Sequence, residues 1–344
     1  MAQVQGRSAG AAEPAESAAL LVRRHCSKYG PNDLKALRTS LITFGLLYAF
    51  LALVLACPCR LAAGLLGLAI VRAFVLFHDA AHGSLTTSRA ANKVVAWMVS
   101  PWIGRTSAGW SASHEQHHKI LGSDPPPFNA PALAFAGLAI GDDDSRTVLF
   151  TKQEFDCWPI HQQAFARLVR DPFVFFGMVV PVQWAGRPGE YKAILLWVLH
   201  SLLVYFIGGK DSLLCLLQAG WVAPMLAGLL LHLQHQVSPG YWKSLADGWN
   251  RDEASFEGSS YILVPWWLKW ATLGIEYHHI HHLSARTPCY ELQLCHAACD
   301  PDWLKPVVKL PMSKALRSCF HTMWNEETKR YVSFESHRKL GLQD

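Results

Sequence analysis

The chain has 344 residues, 51% of them hydrophobic and only 17% charged, against roughly 25% charge in an ordinary soluble domain. A formal charge of +5 without a long basic stripe argues against nucleic acid as the partner. Nine cysteines without a Cys-x-x-Cys pair make no disulfide framework. They read as reduced thiols, with zinc binding by Cys289, Cys295 and Cys299 as the alternative.

Residues 1–35 read as a flexible leader, since no apolar run lies near the start as a secretory signal would require. Arg23, Arg24, Lys28, Lys35 and Arg38 precede the first apolar run, as positive-inside bias predicts. A membrane domain is expected over residues 36–325. Its first two transmembrane segments, residues 39–58 and 61–77, form a hairpin turning at Cys57-Pro-Cys-Arg60. The second is about 25 Å long at 1.5 Å per residue. That suffices for a hydrocarbon core of about 30 Å if its ends snorkel.

Residues 90–103 are apolar but short and interrupted by Lys93, so they belong in the interface rather than across the bilayer. Residues 130–140, broken by Pro131, and residues 173–184 are also too short to span. Asp142-Asp-Asp144 between them reads as part of a solvated loop. A second hairpin covers residues 193–209 and 212–231, with its turn at Lys210-Asp211. His200, inside an apolar run, is expected to hydrogen-bond within the bundle. Trp266, Trp267 and Trp270 suit an interfacial helix, and residues 326–344 form a polar tail. The expected architecture is an all-α integral membrane protein with four transmembrane helices in two hairpins, interfacial helices, and a histidine-rich domain on one membrane face.

Three short patterns carry the chemistry. His78-Asp-Ala-Ala-His82 has i,i+4 spacing, His114-Glu-Gln-His117-His118 has i,i+3,i+4, and His278-His-Ile-His281-His282 repeats the latter. A helix brings positions three and four apart onto one face, which turns His279 aside. The two hairpins leave these clusters, with His232 and His235, at one end of the membrane segments. Imidazoles suit iron, zinc, copper or nickel rather than magnesium or calcium. One zinc takes about four ligands, so nine histidines point to two metals. Oxidative chemistry beside lipid favours iron, with dizinc and dicopper as the alternatives. The expected ligands are His78, His82, His114, His117, His118, His235, His278, His281 and His282, with Asp79 and Glu115 placed to orient imidazoles. No dinucleotide fingerprint, phosphate loop or G-x-S-x-G elbow occurs.

These boxes resemble those of the membrane fatty acid desaturase family. Phe77-His-Asp-Ala-Ala-His-Gly-Ser84 is similar to its first box and Trp110-Ser-Ala-Ser-His-Glu-Gln-His-His118 to its second. Gln234-His-Gln236 stands where the family supplies an extra histidine ligand. Glu257-Gly-Ser-Ser260, His278-His-Ile-His-His-Leu283 and Arg286-x-Pro288-x-Tyr290 resemble the omega-6 (delta-12) and omega-3 acyl-lipid branch. Ala81 departs from the family's usual glycine, and Asp124-Pro-Pro-Pro127 from its usual small polar stretch. The third box begins with His rather than Gln, and no His-Pro-Gly-Gly segment marks a fused cytochrome b5 domain.

The resemblance implies a diiron enzyme that uses O2 as co-substrate to place a cis double bond in a lipid-bound acyl chain, delta-12 in an oleoyl group. It implies a separate electron donor, cytochrome b5 or ferredoxin with its reductase, and a location in the endoplasmic reticulum or a plastid membrane. The active site would face cytosol or stroma, and a homodimer is left open. The alternatives are an omega-3 desaturase, a hydroxylase or acetylenase with the same site, and a histidine-rich membrane metal transporter.

Overall fold

The computed structural model describes residues 16–123, 150–185, 189–236 and 239–335. Three helices in it are long and apolar enough to cross a membrane. Helix α1, Ala18–Cys26, precedes the first of them, α2, Asp33–Ala56, which starts where the Asn32 side chain accepts from the backbone N–H of Lys35 at 3.0 Å. Helix α3, Arg60–His82, ends at Gly83 in the left-handed region (φ 72°), a conformation that costs glycine little. Helices α4, Arg89–Ile103, and α5, Ser107–Ile120, follow. The third long helix is α6, Tyr191–His235.

Helix α3 is the centre of the bundle. Its buried Ala62, Ala63, Gly67, Ala69 and Ala73 let neighbours approach closely. A Cβ on Gly67 would come within 3.2 Å of Val222 in α6. Around it α2 and α6 expose Leu41, Ile42, Leu53, Leu199, Leu203 and Phe206. An apolar girdle of that extent suits lipid rather than water. Arg72, buried in α3, donates to Thr43 Oγ1 at 2.9 Å and to the Trp270 carbonyl, which ties α2 and the later chain to the central helix.

The expectation of four separate membrane helices is corrected to three long apolar ones. Residues 193–209 and 212–231 are the two limbs of the 45-residue α6, which turns back on itself at Gly209 without a separate loop at Lys210-Asp211. The reason lies at Gly209, whose backbone (φ 75°, ψ −170°) breaks the helix where only glycine is at ease. The two limbs of α6 lie side by side, since a Cβ on Gly220 would sit 3.8 Å from the Trp197 ring. Ser212 donates to the Val54 carbonyl at 3.3 Å. The break in α6 and the turn between α2 and α3 therefore occupy the same end of the bundle.

The other end carries α7, Arg251–Glu257, α8, His278–Leu283, and α9, Cys289–Ala297. Among the described residues the regular structure is helical apart from strands of two or three residues, such as Tyr261–Leu263 beside Lys309–Pro311. Helix α4 is amphipathic and too short to span, burying Ala96, Val99 and Trp102 while exposing Val94 and Trp97. The apolar helix Pro172–Ala185 is short as well.

The segment read as a flexible leader contains α1, whose Ala19, Val22 and Cys26 pack in one cluster with Ile280 and Cys295. Arg23 clamps both carboxylate oxygens of Asp252 at 2.8 Å. Past residue 325, Arg330–Val332 pairs with Met323–Asn325. The fold thus extends beyond 36–325 on both sides. Residues 124–149, with the proline run and the aspartates read as a loop, lie outside the described residues.

Candidate metal centre

Four elements deliver the histidines. His78 and His82 occupy the last turn of α3; His114, His117 and His118 lie on α5; His235 ends α6; His278, His281 and His282 lie on α8. All nine side chains expected from the sequence meet, in two groups. The first holds His78, His82, His114, His118 and His281, and the second His117, His235, His278 and His282; within each group every ligating nitrogen lies within 4.8 Å of the others.

In the first group the Nε2 atoms run His78 to His114 at 3.0 Å, His114 to His118 at 3.1 Å and His118 to His281 at 3.0 Å. In the second they run His117 to His235 at 3.1 Å, His235 to His278 at 3.0 Å and His278 to His282 at 2.9 Å. The groups adjoin, with the His118 and His282 rings stacked at 4.2 Å. A metal–nitrogen bond of about 2.1 Å puts two ligands at right angles about 3.0 Å apart, and two tetrahedral ligands about 3.4 Å apart. The observed spacing is short enough for the nitrogens of each group to share one cation.

Tautomers follow from the outer hydrogen bonds. His78 Nδ1 donates to Asp79 Oδ1 at 2.9 Å, and His235 Nδ1 donates to the Gly258 carbonyl at 3.1 Å. Each therefore turns a bare Nε2 lone pair inward. His82 Nε2 is buried without a hydrogen-bond partner among the described residues. Lone pairs converging in a buried space are costly unless a cation receives them. Burial first, and neighbouring imidazoles second, hold His114, His118, His278, His281 and His282 well below the ordinary histidine range. They are neutral at physiological pH, as ligands must be.

Asp79 takes the orienting position expected for it, and its second oxygen accepts from the Cys289 backbone N–H. Glu115 does not, because it projects to solvent and pairs with Lys119 at 2.9 Å. His279 turns away to His296, 2.9 Å off. His232 points toward the Ser318 carbonyl at 3.3 Å and His200 packs on Trp102; neither joins a group. Gly258 lies in the Glu257-Gly-Ser-Ser260 segment, but a backbone carbonyl carries no side-chain signal of its role. Ser260 Oγ donates to the Leu233 carbonyl at 2.8 Å, which seats this segment on the end of α6.

An apolar cavity of about 410 Å3 approaches the first group. Ile70 and Phe74 line it from α3, with Trp102, Trp184, Trp197 and Trp221 around them. Ile70, Phe74 and His78 follow at intervals of four on one face of α3. Trp110 bridges the remaining gap, meeting Phe74 edge-on at 6.0 Å and stacking on His114 at 4.0 Å. Long chains of methylene groups fit such walls, and charged substrates do not.

Comparison with known proteins agrees with this geometry. Residues 49–312 match the model of the fatty acid desaturase family. The chain is 24% identical to a fatty acid desaturase of Bacillus subtilis, over 79% of this chain and 76% of that protein. It is 23% identical, over 91% of both chains, to an sn-1 oleoyl-lipid 12-desaturase of Picosynechococcus. A chloroplastic omega-6 fatty acid desaturase of Arabidopsis thaliana is 25% identical over 80% of this chain and 61% of its own length. The family match spans most of the chain and every one of the nine converging histidines, and the chain belongs to the fatty acid desaturase family.

Proposed function

We propose that the protein is an O2-dependent desaturase that places a cis double bond in the acyl chain of a membrane lipid, at delta-12 of an oleoyl group. His78, His82, His114, His118 and His281 would hold one iron ion, and His117, His235, His278 and His282 a second. The single observation that carries this reading is the convergence of nine imidazoles in two adjoining groups, one layer of side chains from an apolar cavity along α3. The position along the chain rests on relatives named as oleoyl-lipid 12-desaturase and omega-6 desaturase.

Iron, when bound, supplies the redox chemistry with O2 that no side chain here can perform. The protein's part is placement. Asp79 and Gly258 fix the orientation of His78 and His235, burial keeps the imidazoles neutral, and the cavity lays methylenes along the face of α3 that ends at His78. Overall, two adjacent methylenes each give up one hydrogen. O2 accepts these with two electrons and two protons and leaves as two waters. The electrons come from a separate small redox protein of the cytochrome b5 or ferredoxin class. One methylene is worth only about 1–3 kcal/mol of discrimination, so the bond attacked must be set by cavity depth and bend.

The test is expression in a yeast that makes oleate but no linoleate, with double bonds located by gas chromatography–mass spectrometry. Wild type is expected to give a linoleate-type chain, and His117→Ala none, with equal protein in the membrane. A hydroxylated product would replace desaturation by hydroxylation. Absence of any lipid product with either a cytochrome b5 or a ferredoxin supplied would overturn the reading.

A further inference from the structure

A third group of ligand-type side chains lies apart from the nine histidines. His25, at the end of α1, Cys295 in α9 and Cys299 just past its end bring a ring nitrogen and two Sγ atoms within 4.8 Å of one another. Cys26 lies just outside this group, its Sγ 3.3 Å from that of Cys295. Cys26, Cys295 and Cys299 are all buried free thiols. His25 Nε2 is buried without a hydrogen-bond partner among the described residues, and its ring is flanked by Tyr29 and Trp303 at 5.4 and 6.1 Å. A buried imidazole nitrogen on a ring beside thiols lacks the partner such an atom requires.

We propose that His25, Cys295 and Cys299 form a structural zinc site, with Cys26, whose thiol touches that of Cys295, reaching the fourth position by a side-chain rotation. Two sulfurs and an imidazole, with a third sulfur close by, are a donor set suited to tetrahedral Zn2+, and the soft thiolates disfavour hard cations. The site joins residues about 270 positions apart in sequence. Its purpose follows from what the two helices touch. Helix α1 packs on α8, which carries His278, His281 and His282, and α9 follows α8 directly. A zinc ion here clamps the N-terminal segment over the outer side of that helix, in a shell distinct from the proposed iron ligands.

The test uses the full chain purified in detergent and equilibrated with zinc, then desalted. Metal content is read by mass spectrometry and zinc coordination by X-ray absorption. The expected result is about one tightly held zinc per chain, with sulfur scattering at about 2.3 Å. His25→Ala and Cys299→Ser are expected to lose that sulfur-bound zinc and to keep the iron content of the wild type. Zinc lodged among the nine histidines would show nitrogen neighbours only, so failure of this proposal is separable from failure of the desaturase reading. Wild-type protein that holds no sulfur-bound zinc overturns the proposal even if the variants misfold. So does a Cys26–Cys295 disulfide found by alkylation mapping of the protein as isolated.

Discussion

Replacing Asp79 by Asn tests how far the metal centre depends on a residue that points away from it. Asp79 is 1% exposed and accepts from two donors, His78 Nδ1 at 2.9 Å and the Cys289 backbone N–H. An amide has one oxygen to offer, so in Asp79→Asn one of the two donors faces an NH2 group. Water cannot reach in to compensate. A hydrogen bond to a charged group contributes about 1.5–3 kcal/mol, and each 1.4 kcal/mol is a factor of ten, so the substitution is expected to weaken metal binding and turnover by about 10- to 100-fold. Iron per chain after dialysis against a weak chelator gives the first quantity, and the rate of linoleate formation in membranes gives the second. Glu115→Gln serves as the control, since that side chain is exposed and pairs with Lys119 away from the histidines. Asp79→Asn with iron retention and turnover both within about twofold of wild type would refute the orienting role.

Ala227→Phe places a ring in the apolar cavity; turnover of oleoyl lipid is expected to fall relative to a shorter monounsaturated chain in a mixed-substrate assay, and an unchanged ratio would detach the cavity from the acyl chain. Gly209→Val forces a β-branched residue into φ 75°, ψ −170°. A loss of about 1–3 kcal/mol is expected, read as a lower melting temperature in detergent; an unchanged melting temperature would contradict the strain. The buried histidines also set a pH dependence. His118, His278, His281 and His282 have folded pKa values well below the 6.5 they approach when unfolded. Below 6.5 the unfolded chain binds more protons than the folded one, so stability falls as pH drops through this point and is level above it. Chelator-treated protein followed by thermal melts from neutral to acidic pH should show that loss; a melting temperature rising as pH falls would reverse the assignment.

Much of the site was legible in one dimension because helical geometry is local. The spacings in His78–His82, His114–His118 and His278–His282 already turn these side chains to common faces, and the apolar runs already place them beyond the membrane segments. His279 could be set aside on the same ground. The second hairpin was legible as two apolar runs with a polar break, but not as one helix broken at Gly209, because a left-handed glycine leaves no mark in hydropathy.

Only the tertiary structure decided how the nine histidines are shared. His114 and His118 go to one group and His117, between them, to the other; His281 parts in the same way from His278 and His282. That division depends on how α3, α5, α6 and α8 cross, which is set by packing between elements far apart in sequence. The same packing takes in His235 and leaves His232 out, sends Glu115 to solvent, and makes the Gly258 carbonyl an orienting group. It also brings His25 and Cys26 to Cys295 and Cys299. Local spacing determines which face of a helix a side chain occupies, and the packing of distant helices determines what that face meets.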